Sequence, residues 1–168
     1  AIQGNQVLVR GTVQGPLNTG VTVNGIAATV LGNTFLANAV PLTAGSNTLT
    51  VVASSLFGQT ATTSVTVTSN GTASALTLTA TPDSGITGMY APLPVTFTYD
   101  FRSTTPIQDL SMDFDGDGTF EFSDAPPDTI LSGGYPIPGV HLARLSVRDQ
   151  QSQVFQAEAG IAVQDVVA

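Results

Sequence analysis

The sequence has no cysteine, no lysine and no tryptophan, one histidine, and few charges of any kind. Without cysteine there is no disulfide, no thiol nucleophile and no thiolate metal site, and the compartment is left undecided on that count. Four arginines stand against twelve acids. Such a chain is repelled by nucleic-acid phosphates and by anionic lipid, which argues against nucleic acid as a partner. No apolar run approaches the ~18 residues of a spanning helix, so membrane insertion is not expected. The opening AIQGNQ lacks the basic start and apolar core of a signal peptide, and the chain reads as a segment of a longer protein. His141 cannot form a histidine cluster, and its position on an alternating apolar strand makes it a poor base for any of the many serines. It suits a core-edge position with its ring hydrogen-bonded.

What is present is threonine, valine and glycine in short alternating runs, with turn residues every eight to twelve positions, the pattern of an all-β sandwich. Charge divides the chain. Residues 1–82 hold Arg10 alone, while all twelve acids and the other three arginines follow, so a part of +1 precedes a part of −9 and the whole is −8. The expected fold is two immunoglobulin-like β-sandwich domains in tandem, residues 1–69 and 75–168, joined by the small polar linker 70–74. Asn70-Gly71-Thr72 fits a glycosylation acceptor pattern, but reads as plain linker.

In the first part, strands are expected over residues 6–13, 21–30, 34–42, 48–53 and 60–68, with Asn24-Gly25 splitting the second into a hairpin, about seven strands in all. Its edges carry almost no charge, although charge is the usual protection against sheet extension. Proline, asparagine and short strands would protect them, or else an edge is covered by a neighbouring module. The segments VRGTV, GVTVNGIAATV, GNTF and VPLTAGSNTLTVVA, with a closing TVT strand, resemble the small bacterial immunoglobulin-like modules related to glucodextranase domain B. That resemblance implies an accessory part of a secreted or surface protein and no chemistry.

In the second part, strands are expected over 76–81, 95–101, 107–114 and 154–163, and through HLARLSVRD. Val95, Phe97, Tyr99 and Phe101 share one face, as do His141, Ala143, Leu145 and Val147. The densest chemistry is MDFDGDGTFEFSD, residues 112–124, with five carboxylates among four bulky apolar residues. If Met112, Phe114, Phe120 and Phe122 all face the core, Phe114 lies opposite Phe120 and Met112 opposite Phe122. Gly116-Asp117-Gly118 is then a three-residue turn, and Asp113 faces Glu121 on the outer side. Like charges so placed repel, and a cation would reverse the sign. Oxygen ligands alone suit calcium, and the spacing matches a calcium loop in which Asp113, Asp115 and Asp117 ligate directly, Thr119 offers its carbonyl, Glu121 acts directly or through water, and Asp124 closes the set. The alternative is an exposed turn that uses Asp and Gly because tight turns favour them. An Asp113–Glu121 glycosidase pair is poorly supported, since an exposed hairpin implies no cleft.

Residues 95–99, MDFDGDG, and Tyr135 followed by PGVHLARLSVRD resemble PKD-type (polycystic kidney disease) immunoglobulin-like domains. Met112 stands where that pattern has tryptophan, Asp115 is an added acid, and His141 replaces a tyrosine. The resemblance implies that Tyr135 belongs to the core. Tyr90, in GMYAPLP, is a loose candidate for stacking on a sugar ring. The expected function is a non-catalytic extracellular or cell-surface module pair from a bacterial protein, a spacer or an adhesion and interaction segment. Its partners would be neighbouring domains of the parent protein, and another surface protein or a glycan. The alternative is a carbohydrate-binding accessory of a secreted polysaccharide-degrading enzyme.

Overall fold

The computed structural model describes residues 1–87, 92–124, 129–131 and 134–166. Fourteen strands and no helix occur among them, and the chain divides into two compact units, Ala1–Ser74 and Ala75–Ala168.

The first unit is one antiparallel sheet of six strands: β1 (Gln6–Thr12), β2 (Gly20–Val23), β3 (Ile26–Leu31), β4 (Thr34–Pro41), β5 (Gly45–Ser54) and β6 (Thr60–Ser69), in the order β1-β4-β3-β2-β5-β6. β3 serves two layers. Ile26, Ala27 and Ala28 pair with β2, and Thr29, Val30 and Leu31 pair with β4. The sheet thereby folds over its own core of Val21, Val23, Phe35, Ala37, Val40, Leu42 and Leu49. Six strands, not about seven, make the unit, and β5 begins at residue 45, ahead of the expected 48–53, pairing with β6 from there.

Asn24-Gly25 forms the two-residue hairpin its sequence predicts, both residues at positive φ (48° and 82°), with Val23 opposite Ile26. The Asn24 side chain also accepts from Thr50 N at 2.7 Å, tying the turn to β5. In β4 an extra residue displaces the register against β1 between Val7 and Val9, where Ala39 takes φ 53°. The residues read as linker are held down at their start. Ser69 donates its hydroxyl to the Gly4 carbonyl, and Asn70 accepts from Gly4 N at 3.0 Å and donates to Gln3 at 2.6 Å. Ile2 runs parallel to β6 there, donating to Thr68 O at 2.7 Å and accepting from Asn70 N at 3.1 Å.

The second unit has β7 (Leu76–Thr81), β8 (Ser84–Thr87), β9 (Thr96–Phe101), β10 (Ile107–Asp113), β11 (Phe122–Asp124), β12 (Thr129–Leu131), β13 (Gly139–Asp149) and β14 (Val154–Asp165). They form a five-stranded sheet, β11-β10-β13-β14-β8, and a three-stranded one, β12-β9-β7. The core is built from Leu76, Val95 and Phe97, from Leu110 and Met112, from Ala143, Leu145 and Val147, and from Ala159, Ile161 and Val163. The two expected apolar faces are therefore the core faces, with Tyr99 and Phe101 packed at its margin. No strand is expected between residues 81 and 95, yet β8 lies there. It pairs parallel to β14, a long-range register with no local signal in SGIT.

Candidate functional site

β10 sends Leu110 and Met112 into the core, which leaves Ser111 and Asp113 on the outer face. Its partner β11 is in the register that core alternation requires, with Met112 opposite Phe122, and the Ser111 and Ser123 hydroxyls meet at 3.3 Å. Beyond Met112 the ladder stops. The last main-chain link is Glu121 N to Met112 O at 3.0 Å, and residues 114–121 leave the sheet as a loop.

The expected pairing of Phe114 with Phe120 does not form. Phe114 packs beside Phe97, ring centroids 5.7 Å apart, whereas Phe120 is 49% exposed. The reason lies in Asp113. Its carboxylate accepts from Gly116 N at 2.6 Å and from Gly118 N at 3.0 Å, drawing the chain back over itself and taking the donors a tight hairpin would use. Asp113 is in consequence not a solvent-exposed acid but 1% exposed, each of its oxygens accepting one backbone hydrogen bond. Gly116 lies against β13 at φ 83°, and a Cβ there would stand 2.6 Å from the Leu142 carbonyl oxygen.

The same device repeats along the loop. Asp115 accepts from Asp117 N at 3.2 Å, Asp117 from Thr119 N at 2.7 Å, and Glu121 from Phe114 N at 2.6 Å. These bonds bring Asp113, Asp115, Asp117 and Glu121 together, one carboxylate oxygen of each lying within 4.8 Å of the others. Asp115, Asp117 and Glu121 each keep a second oxygen with no hydrogen-bond donor among the described residues. Thr119 belongs to the loop through its amide. Asp124 enters only through its backbone, paired with Leu110, and its side chain lies outside the described residues.

No arginine of this unit forms an ion pair with the four acids. Arg144, the cross-strand neighbour of Asp113, turns to Glu158 on β14 at 2.9 Å, while Arg102 and Arg148 pair with Asp100 and Asp109. The negative charge is therefore concentrated, and it is felt by Tyr135. Burial first, then the charges of Asp115, Glu121 and Asp113, push the Tyr135 phenol well above its ordinary value.

Tyr135 is the residue of this site that sequence reasoning missed. It sits in the core, as the family resemblance implied, but its hydroxyl also donates to the Phe114 carbonyl at 2.7 Å, so it pins the start of the acidic loop to the sandwich. An aromatic residue before a proline was the only local signal. Its backbone exchanges hydrogen bonds with Leu93, and its ring lies 5.0 Å from that of His141. His141 Nε2 is 2.9 Å from the Ile137 carbonyl, the hydrogen-bonded core-edge position expected of it. Tyr90 lies outside the described residues.

A family model described as glucodextranase, domain B, matches residues 3–71. No curated protein matches the chain. Among solved structures, the fibronectin(III)-like modules of Clostridium thermocellum CbhA are 15% identical at TM-score 0.40, over 97% of this chain and 88% of that one. The N-terminal four Ig domains of Dscam1 isoform 1.9 are 14% identical at TM-score 0.37, over 98% of this chain and 43% of that one. SGBP-B of the Bacteroides ovatus mixed-linkage glucan utilization locus, solved with a mixed-linkage heptasaccharide, is 12% identical at TM-score 0.27, over 98% of this chain and 42% of that one. The described residues are all-β, and residues 3–71 carry the glucodextranase domain B pattern.

Proposed function

We propose that the chain is a non-catalytic pair of immunoglobulin-like modules from an extracellular or cell-surface bacterial protein, a spacer and interaction segment whose second, PKD-like unit is stiffened by calcium. The observation that carries this reading is the convergence of Asp113, Asp115, Asp117 and Glu121 within 4.8 Å on a loop pinned to the core by Tyr135. Four carboxylates with no arginine ion-paired to them repel one another, and a hard cation with oxygen ligands turns that repulsion into attraction. Thr119 and Asp124 would complete the set through a carbonyl and a carboxylate. The acids project from a loop and no base is positioned beside a nucleophile there, so the role is structural.

Calcium sites of extracellular modules bind at about 10⁻⁴ to 10⁻³ M. At roughly 10 mM calcium, linkage then adds about 1.4 to 2.7 kcal/mol to the second unit. In a domain of this size that raises its melting temperature by about 6 to 20 °C. Calorimetry with calcium and with chelator tests this, and an identical second-unit transition in both overturns it. Asp115→Asn sharpens the result. It relieves repulsion in chelator, so the melting temperature there rises slightly, while the calcium response shrinks.

A second reading, a carbohydrate-binding accessory of a secreted polysaccharide-degrading enzyme, is favoured by the glucodextranase domain B match over residues 3–71. A glycan array separates the two: specific binding that survives in Asp115→Asn supports the accessory reading, and no binding supports the spacer.

A further inference from the structure

β6 is ten residues long and pairs with β5 through ten consecutive positions, Ser69 to Thr60, without a register shift. It is the last strand of its sheet. Its sequence, TATTSVTVTS, has no charge and no proline, and residues 60–66 are exposed. Edges are ordinarily protected by charge, proline, bulges or brevity, because an open row of N–H and C=O groups is a template for another strand. Among the described residues the other edges are protected or shorter: β1 pairs with a register shift against β4 and carries Arg10, β11, β12 and β8 have three, three and four residues, and β7, equally uncharged, has six against the ten of β6.

The molecule itself shows which groups the open side presents. Ile2 donates to Thr68 O and accepts from Asn70 N. Since backbone groups alternate in direction along a strand, Thr62, Ser64 and Thr66 also direct their N–H and C=O outward. The edge accepts an extended chain at Ile2 and has no other strand beside it among the described residues.

We propose that β6 pairs with the β6 of a second copy of this chain, antiparallel about a twofold axis at Ser64, joining the two first-unit sheets edge to edge. This register places Ser64 against Ser64 and Thr62 against Thr66, so outward backbone groups meet outward backbone groups. It runs from Ala61 to Val67 and stops short of Thr68, which Ile2 already occupies. An isologous contact requires a self-complementary patch. A strand of one charge sign would meet its own repulsion on the axis, whereas β6 meets hydroxyl against hydroxyl, a favourable cross-strand pair. The strand holds no charge with which to select a charged peptide. Its match is a neutral, β-prone strand, and β6 is one. Val65, half exposed on the core-facing side, gains cover beside the partner's Thr63.

Sedimentation velocity on the whole chain over a range of concentrations tests the pairing. The wild type is expected to dimerise reversibly, and more tightly as salt screens the charge of −8 on each copy. Ser64→Lys and Ser64→Glu, on the solvent side of β6, are each expected to lose dimerisation at unchanged melting temperature, and an equimolar mixture to regain it, because lysine then faces glutamate across the axis. A wild type that stays monomeric to millimolar concentration overturns the proposal. So does dimerisation unaffected by either variant, or a mixture that stays monomeric. Loss of dimerisation on Phe57→Ser alone assigns association to the exposed loop around Phe57 and overturns it equally.

Discussion

The two units solve one packing problem with different means. The first closes a single folded sheet over seven buried apolar residues and holds one charge before Asp83, whereas the second sandwiches thirteen between two sheets and carries all twelve acids. Where charge is absent, protection of edges rests on geometry alone, and β6 has little of it. Where charge is dense, acids on the strands pair with arginine, as Asp100, Asp109 and Glu158 do, and the two buried acids of loops and turns are held by backbone amides. Asp149, 1% exposed, repeats in the β13–β14 turn what Asp113 does in the acidic loop, accepting from Gln151 N and Gln153 N at 2.9 Å each. Neither unit needs covalent reinforcement, since each buries its own core.

The strongest way to break the comparison is to empty the larger core. Phe97, 0% exposed and central to the second unit, is expected to cost about 3 to 5 kcal/mol as Phe97→Ala. In calorimetry only the second-unit transition should fall, and an equal fall in both would show that the units do not unfold separately. A finer contrast uses two glycines with nearly the same φ, Gly25 at 82° and Gly116 at 83°. An added Cβ meets nothing at Gly25 but the Leu142 carbonyl at Gly116. Gly25→Ala should cost about 1 kcal/mol, from conformation alone, and Gly116→Ala about 2 to 3 kcal/mol with loss of the calcium response. Equal costs in denaturant titration would mean that the acidic loop yields freely.

The smallest effect concerns Tyr135. Tyr135→Phe removes the bond to the Phe114 carbonyl and is expected to cost about 1 kcal/mol at neutral pH. The folded phenol holds its proton to higher pH than the unfolded one, which ionises near about pH 10. The folded state thus binds the extra proton above that pH, so the contribution is full below about pH 10 and declines as pH rises beyond it. Tyr135→Phe should flatten this alkaline decline, and an unchanged profile would remove the phenol as its cause.

The legible parts of the fold were those written in local pattern. Asn24-Gly25 announces its hairpin, LTLTAT its strand from Leu76 to Thr81, and Met112 with Phe122 the register of β10 on β11. Alternation placed Phe114 against the core but failed at Phe120 and at the pairing of the two, because it assumes that the ladder continues, and Asp113 competes successfully for the amides of Gly116 and Gly118. β8 was illegible for another reason, since its partner β14 lies some eighty residues on and parallel pairing leaves no turn to read. Asp113, Asp115, Asp117 and Glu121, which the fold draws within 4.8 Å, were expected as ligands from strand register, charge and spacing, together with Thr119 and Asp124. That Asp113 is buried, and that Tyr135 fastens the loop, depended on contacts between distant segments.

The short parallel bridge between Ile2 and β6 has a mechanical consequence. Because residues 1–3 lie beside Ser69 and Asn70, the points at which the backbone joins and departs from the first sandwich are neighbours. Tension applied across them does not run the length of the strands. It loads the bonds Ile2 N to Thr68 O and Asn70 N to Ile2 O first, sliding two parallel segments past each other, and reaches the long β5–β6 ladder only once those two have parted.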